Sequence, residues 1–284
     1  MTLLHCGRHR IDLSAPCVMG IVNVTGDSFS ADGRLDREAA LAHARRLLDE
    51  GAGIIDVGGE STRPGAAPVP EEVEHERVIP IVEALAATGA VVSVDTMKPA
   101  VMRAAIAAGA SMINDVKALA APGAIEAVAG SDAAVCLMHM QGEPRTMQQA
   151  PRYTDVVAEV RSFLAGRAQA CVDAGMASDR IVVDPGFGFG KSVAHNLDLL
   201  RRLDAIVGLG FPVLAGLSRK STLGALTGRD VGGRLSASVA ATLAAALRGA
   251  RILRVHDVRE TVDALAVWRA IEPWTGLQLR KGLE

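Results

Sequence analysis

Polar residues recur in one setting along this chain: each follows a short apolar run. They are Asn23, Glu60-Ser61-Thr62-Arg63, Asp95-Thr96, Asn114-Asp115, His139, Asp184, Ser218-Arg219-Lys220-Ser221, Arg254 and His256. Two kinds of chemistry suit these types. Asp95, Asn114 and Asp184 offer carboxylate acceptors and an amide to a flat, nitrogen-rich heterocycle with several N–H donors. Arg63, Arg219, Lys220, Arg254 and His256 offer cationic donors to phosphate, by charge and, for Arg, by the geometry of its planar fork. Taken singly, each has a plainer reading. An Asp after a strand is usually a turn or helix cap, and Arg219 reads most easily as a solvated surface charge. A network of hydrogen bonds without a ligand is the plain reading of the three acceptors.

The elements that carry these residues alternate. Apolar, β-branched runs at Cys17–Val24, Ile54–Gly58, Val91–Asp95, Met112–Val116, Ala133–Met138, Ile181–Asp184, Val213–Leu217 and Ile252–His256 read as strands of a parallel sheet covered on both faces. Between them lie stretches of helical period. Asp36 is a candidate N-cap, with Ala40, Ala44, Leu47 and Leu48 on one buried face and Gly51 at the end. Further helices are expected over 194–207 and 234–248. Eight strand and helix units predict a single (β/α)₈ barrel domain over residues 1–284. A doubly wound open sheet is the alternative, but the first strand lacks the G-x-G-x-x-G turn common there. Residues 3–13 read as a hairpin turning near Gly7, able to plug the N-terminal face. Barrel active sites lie at the C-terminal strand ends, where the polar residues fall, and loops seven and eight are the usual phosphate site.

The 284 residues suffice to bury about 75% of the extended surface without a staple. At 49% hydrophobic and 22% charged the chain is not disordered, and a net charge of −2 leaves no footprint for nucleic acid or a membrane surface. Aromatics are only 3%, so Ala, Val, Leu and Ile must build the core. Cys6, Cys17, Cys136 and Cys171 lie far apart, which argues against a disulfide framework or a structural zinc site. The N-terminus lacks the features of a signal peptide, and a reducing cytoplasm is expected.

Two loops, 25–34 and 58–68, are rich in turn formers and long enough to act as lids. In Asp184-Pro185-Gly186-Phe187-Gly188-Phe189-Gly190-Lys191, alternating glycines let backbone approach a ligand closely. Phe187 reads equally as core or as part of an aromatic wall.

Together, MGIVNVTGDSFS (19–30), GGESTRPG (58–65), SVDT (93–96), IND (113–115), LMHMQG (137–142), DPGFGFGK (184–191), SRKS (218–221) and RVHDV (254–258) resemble the dihydropteroate synthase family. The resemblance implies a barrel transferase that joins p-aminobenzoate to 6-hydroxymethyl-7,8-dihydropterin diphosphate. It implies that Asp95, Asn114, Asp184 and Lys220 hold the pterin, with Met138 among the substrate contacts. Arg254 would stack near the ring and, with His256, bind diphosphate. Asn23 would ligate Mg²⁺. Thr62 and Arg63 would sit in the second mobile loop, Ser221 would meet the aminobenzoate carboxylate, and Phe189 would wall its ring. Catalysis would fall to Lys220, Arg254, His256 and Arg63. A homodimer through the C-terminal helices is expected from the uncharged stretch 235–247. Two departures fall in the first loop: Gly26 stands where the family usually has Pro, and Ala31 separates Ser30 from Asp32-Gly33.

Three other functions are compatible with parts of this pattern. A pterin-dependent methyltransferase shares a related barrel, but SRKS, GGESTRPG and RVHD speak against it. A barrel aldolase would use Lys220 as a Schiff-base nucleophile. A catalytically silent pterin-binding regulator would keep the pocket alone. Release of pyrophosphate separates the transferase from all three.

Overall fold

The structure, a computed structural model, describes residues 2–24, 33–61 and 65–271, with 33–36 as backbone only. A hairpin comes first, β1 (Leu3–Cys6) paired antiparallel with β2 (His9–Asp12). It turns at Gly7, whose φ of +59° is a left-handed conformation that glycine adopts without strain.

Eight parallel strands follow: β3 (Cys17–Asn23), β4 (Ile54–Gly58), β5 (Val92–Asp95), β6 (Met112–Asp115), β7 (Ala134–Met138), β8 (Ile181–Asp184), β9 (Leu214–Ala215) and β10 (Ile252–Val255). Their order is β8-β7-β6-β5-β4-β3-β10-β9. A parallel bridge between Val183 and Val213 joins the two ends, and the Val183 amide donates to the Pro212 carbonyl at 3.0 Å. The expected (β/α)₈ barrel is therefore the fold, with the hairpin ahead of it. Among the expected strands, Val213–Leu217 shrinks most, to the two residues of β9.

The helices on the outside are α1 (Gly33–Asp49), α2 (Glu71–Ala87), α3 (Pro99–Ala107), α4 (Ala124–Ala129), α5 (Val156–Asp173), α6 (Val193–Arg201), α7 (Leu203–Val207), α8 (Ser221–Thr227), α9 (Leu235–Leu247) and α10 (Val258–Ile271). Ala40, Ala44 and Leu47 of α1 are buried, and Gly51 ends that helix with φ +101°. Two boundaries differ from expectation. Helix α1 already includes Gly33, so Asp36 lies within the helix and not at its cap. The helix expected over 194–207 breaks at Arg202, whose φ/ψ of −106°/29° is not helical. Leu199, Leu203 and Ile206 are all buried, so one apolar face continues through the break and its period reads as a single helix.

The barrel interior is graded along the strands. Its floor is apolar: Met19, Ile54, Met112, Ala134, Cys136, Val182, Leu214 and Ile252 pack against Leu4, Cys6 and Leu13 of the hairpin segment, which plugs this end. Ile55, Val57, Val92, Val94, Ile113 and Leu137 belong to the outer core beneath the helices. Because side chains alternate along a strand, Asp56 follows Ile54 inward, Asn114 follows Met112, and Asp184 follows Val182. Period-two alternation thus delivers the polar residues to the inner surface one layer above the apolar floor. Among the described residues, no helix is long and apolar enough to cross a membrane.

Candidate active site

Arg254, from β10, is the hub of the mouth. Its Nε donates to Asp56 Oδ2 at 2.6 Å and its Nη2 to Asp95 Oδ2 at 3.0 Å. Asn114 Nδ2 donates to the same Asp56 oxygen at 3.2 Å. Strands β4, β5 and β6, together with β10 on the far side of β3, therefore share one hydrogen-bonded cluster. Asp56 is fully buried, and its Oδ1 has no hydrogen-bond partner. The sequence reading missed Asp56, yet it carried a signal. A lone carboxylate inside an apolar strand covered on both faces must be paired somewhere.

Across the mouth, Asp184 ends β8 and accepts from the Gly186 amide at 2.7 Å. Lys220, just before α8, donates to the Phe187 carbonyl, and its Nζ lies 4.7 Å from the centre of the Phe189 ring. Phe187 is buried in the core at 1% exposure, while Phe189 is half-buried, so only Phe189 is placed as a wall. Gly188 has φ +81°, and a Cβ there would come within 3.1 Å of the Lys220 chain. Lys191 lies beneath this loop and donates to His139 Nδ1, Gly186 O and Phe189 O, each at 2.9 Å.

Around the rim, Asn23 ends β3 half-buried, and Met138 ends β7 buried at 3% exposure. Ser218 Oγ lies 3.0 Å from His256 Nδ1. Ser221 opens α8 and is exposed. Lys98 pairs with Glu60 and with the buried Glu74, while Arg77 donates to the Gly59 carbonyl at 3.0 Å, so the base of the second loop is anchored. Arg219 turns away to form a bidentate pair with Asp257 and stays 42% exposed, in keeping with the plainer reading of that residue. His139 belongs under the loop with Lys191, and Asp115 caps its own turn by accepting from the Lys117 and Leu119 amides at 2.7 and 2.8 Å. Thr62, Arg63, Gly26 and Ala31 lie outside the described residues.

Residues 19–256 match the family model described as pterin binding enzyme. The chain is 52% identical over 262 residues to the dihydropteroate synthase of Escherichia coli K12, covering 92% of this chain and 93% of that one. The chain belongs to the dihydropteroate synthase family. Two solved structures agree with that placement. Xanthomonas albilineans dihydropteroate synthase with 4-aminobenzoic acid superposes with a TM-score of 0.90 at 56% identity, over 96% of this chain and 98% of that one. Burkholderia cenocepacia dihydropteroate synthase complexed with 7,8-dihydropteroate does so at 0.88 and 53%, over 95% and 96%. The pterin-binding match runs from within β3 to just past β10, so it leaves the plugging hairpin and α10 outside.

Burial sets the electrostatics of this site. It pushes the Asp95 carboxyl up to about 7, with Arg254 opposing and Asp56 adding. It raises Asp184 as well, against the pull of Lys220. It lowers Lys220 to about 8, with Asp184 opposing. For Arg254, burial works against the charge, but Asp56 and Asp95 outweigh it, so the guanidinium stays charged. Burial and the Lys191 charge lower His139 to about 3, leaving it a neutral acceptor. The mouth thus combines one fixed cation, one tunable cation and two carboxyls, Asp95 and Asp184, raised by burial, which is a surface for a ligand with both N–H donors and anionic oxygens.

Proposed function

We propose that the protein joins p-aminobenzoate to 6-hydroxymethyl-7,8-dihydropterin diphosphate, forming 7,8-dihydropteroate and releasing pyrophosphate. The observation that carries this reading is the cluster of Asp95, Asn114, Asp184, Lys220 and Arg254 around one barrel mouth, within a chain about half identical to named dihydropteroate synthases. Asp95, Asn114 and Asp184 accept and donate to the pterin edge, and Lys220 bonds a ring acceptor. Met138 is a further substrate contact. Arg254, with His256 and Arg63, neutralises the diphosphate as the methylene C–O bond breaks, while Thr62 lies beside the diphosphate in the second loop. The arylamine nitrogen attacks the methylene carbon and then sheds its proton. An arylamine is a weak base, so it attacks without a strong general base. Phe189 walls the aminobenzoate ring and Ser221 meets its carboxylate.

Asn23 fits Mg²⁺ as a single hard oxygen ligand. Gly58 has no side chain to fill the space near it: a Cβ there would lie 3.8 Å from Asn23 Oδ1. Among the described residues no group of three or more His, Cys, Asp or Glu could hold an ion. Diphosphate oxygens would share the ion with Asn23, in keeping with the habit of Mg²⁺ of binding through few protein ligands plus substrate phosphates. When bound, the ion neutralises charge on the leaving group. The test is a coupled pyrophosphate-release assay with the pterin diphosphate, with and without p-aminobenzoate. Release should require both substrates and stop in excess chelator. No release with fresh substrates and metal would overturn the assignment, and full activity in chelator would overturn the metal.

Asp184→Asn should weaken binding of a pterin lacking diphosphate by roughly tenfold to a hundredfold, because a charged acceptor becomes partly a mismatched donor. Diphosphate binding should change little. Calorimetric titration of each ligand checks this, and unchanged pterin affinity would leave Asp184 a structural residue.

The protein works in the cytoplasm as a homodimer through its last helices, with no membrane or nucleic-acid partner. Four unpaired thiols suit a reducing compartment. Leu235 and Leu247 of α9 are 40% and 39% exposed, and Val267 and Ile271 of α10 are 62% and 73% exposed. Apolar side chains so exposed on adjacent helices call for cover. Sedimentation at micromolar concentration should give the mass of two chains; a monomer would refute the dimer.

A further inference from the structure

We infer that Lys191 is a positioning residue for the pterin pocket: its ammonium ties the loop after β8 to the end of β7 and so sets the Phe187 carbonyl and Phe189 ring that hold Lys220. The inference rests on the reading of Lys220 and Asp184 as pterin groups and deepens it.

The geometry is specific. Lys191 is 2% exposed. Its Nζ reaches four acceptors: His139 Nδ1, Gly186 O and Phe189 O at 2.9 Å, and His139 O at 3.2 Å. Two of these lie on the chain leaving β7 and two in the loop leaving β8, so one ammonium spans both. An apolar side chain of similar length would fill the space without the cost of burying a charge, so what the ammonium adds is placement.

The loop needs such a fastening. Gly186, Gly188 and Gly190 have φ of +68°, +81° and +61°, and glycine constrains backbone least. A second clamp completes the mount. Asn196 Oδ1 accepts from the Gly188 amide at 2.7 Å, while its Nδ2 donates to Ser192 O at 2.8 Å and to Thr222 Oγ1 at 3.1 Å. Thr222 follows Ser221 in α8, so the loop is tied both to the β7 end and to the helix that Lys220 introduces. Phe187 and Phe189 are thereby held beside Lys220. Lys191 also shares the field of the site: burial lowers it to about 7, with Asp184 opposing and Lys220 adding.

The test is a double-mutant cycle on the full chain, using Lys191→Met, Lys220→Ala and the pair. Affinity is read by calorimetry with a pterin lacking diphosphate, and kcat/KM for the pterin diphosphate by pyrophosphate release. Lys191→Met alone should weaken pterin binding about tenfold, but less than about threefold once Lys220 is Ala, since residues acting through one another are not additive. A purely structural role would lower the thermal midpoint and leave the two effects additive, which overturns the inference. So does unchanged affinity in a folded Lys191→Met. If that variant does not fold, His139→Leu, which removes one acceptor and keeps the ammonium, should weaken pterin binding, and His139→Asn, which keeps an acceptor, should restore it. His139→Leu without effect overturns the inference. If Lys220→Ala itself leaves pterin affinity intact, the reading of Lys220 falls and this inference with it. If Lys220→Ala weakens binding and Lys191→Met does not, only the inference falls.

Discussion

Arg254→Met should cost about 3–5 kcal/mol of stability at neutral pH, because it strips the cation from Asp56 and Asp95 and leaves both buried. The loss should depend on pH in a definite direction. Burial already raises Asp95 to about 7, with Arg254 opposing, and removing that cation raises it further. A carboxyl raised above its unfolded value of about 3.9 gives stability that is present below that value and lost as pH rises through the folded one. The variant should therefore be weakest above pH 7 and approach the parent as pH falls toward 4. Urea unfolding at several pH values measures this. Adding Asp56→Asn should recover stability at neutral pH without recovering activity. Activity should fall about a hundredfold to a thousandfold, the usual cost of losing a preorganised donor at developing charge. A pH-independent loss of stability would show that the carboxylates do not depend on the guanidinium.

Gly186→Ala should be nearly as damaging through a different route. Gly186 has φ +68°, and an added Cβ would sit 1.9 Å from the His139 carbonyl oxygen. That neighbour is backbone, fixed by the His139 amide donating to Asp184 O at 3.0 Å, so it cannot rotate aside. The loop must lift, and the Phe187 carbonyl and Phe189 ring leave Lys220. The left-handed conformation alone costs Ala about 1–2 kcal/mol. Gly210→Ala isolates that part, because Gly210 has φ +86° with nothing within 4 Å of the added atom. Gly210→Ala should lower the thermal midpoint by a few degrees at about 2–4 °C per kcal/mol and leave turnover intact. Gly186→Ala should lose pyrophosphate release almost completely. Equal behaviour of the two variants would sink the close-packing argument.

The barrel was legible because its strands are short apolar runs with polar residues at or just past their C-terminal ends. β4, β8 and the others match those runs within a residue or two, whereas β9 keeps only Leu214–Ala215 of a five-residue run because the barrel closes there through a single bridge. Asp95, Asn114, Asp184 and Arg254 were legible as a group because period-two alternation aims strand-end residues inward. Asp56 was hidden by the same logic, since it interrupts a run read as continuously apolar. Lys191 was visible only as the end of a glycine motif. Its partners are backbone carbonyls and a histidine 52 residues away, and no local pattern marks such a pairing. The break at Arg202 was unreadable because the buried face continues across it.

The plug at the barrel floor has a consequence in time. Leu4, Cys6 and Leu13 find their partners on strands that extend from Met19 to Ile252, so the floor closes only after the last strand is in place. Contacts of such sequence separation form late and slowly. During synthesis at about 5–20 residues per second, the hairpin waits roughly 12–50 s for Ile252 to emerge. Until then the hairpin's floor-facing side chains, Cys6 among them, lack the part of their cover that Leu214 and Ile252 supply.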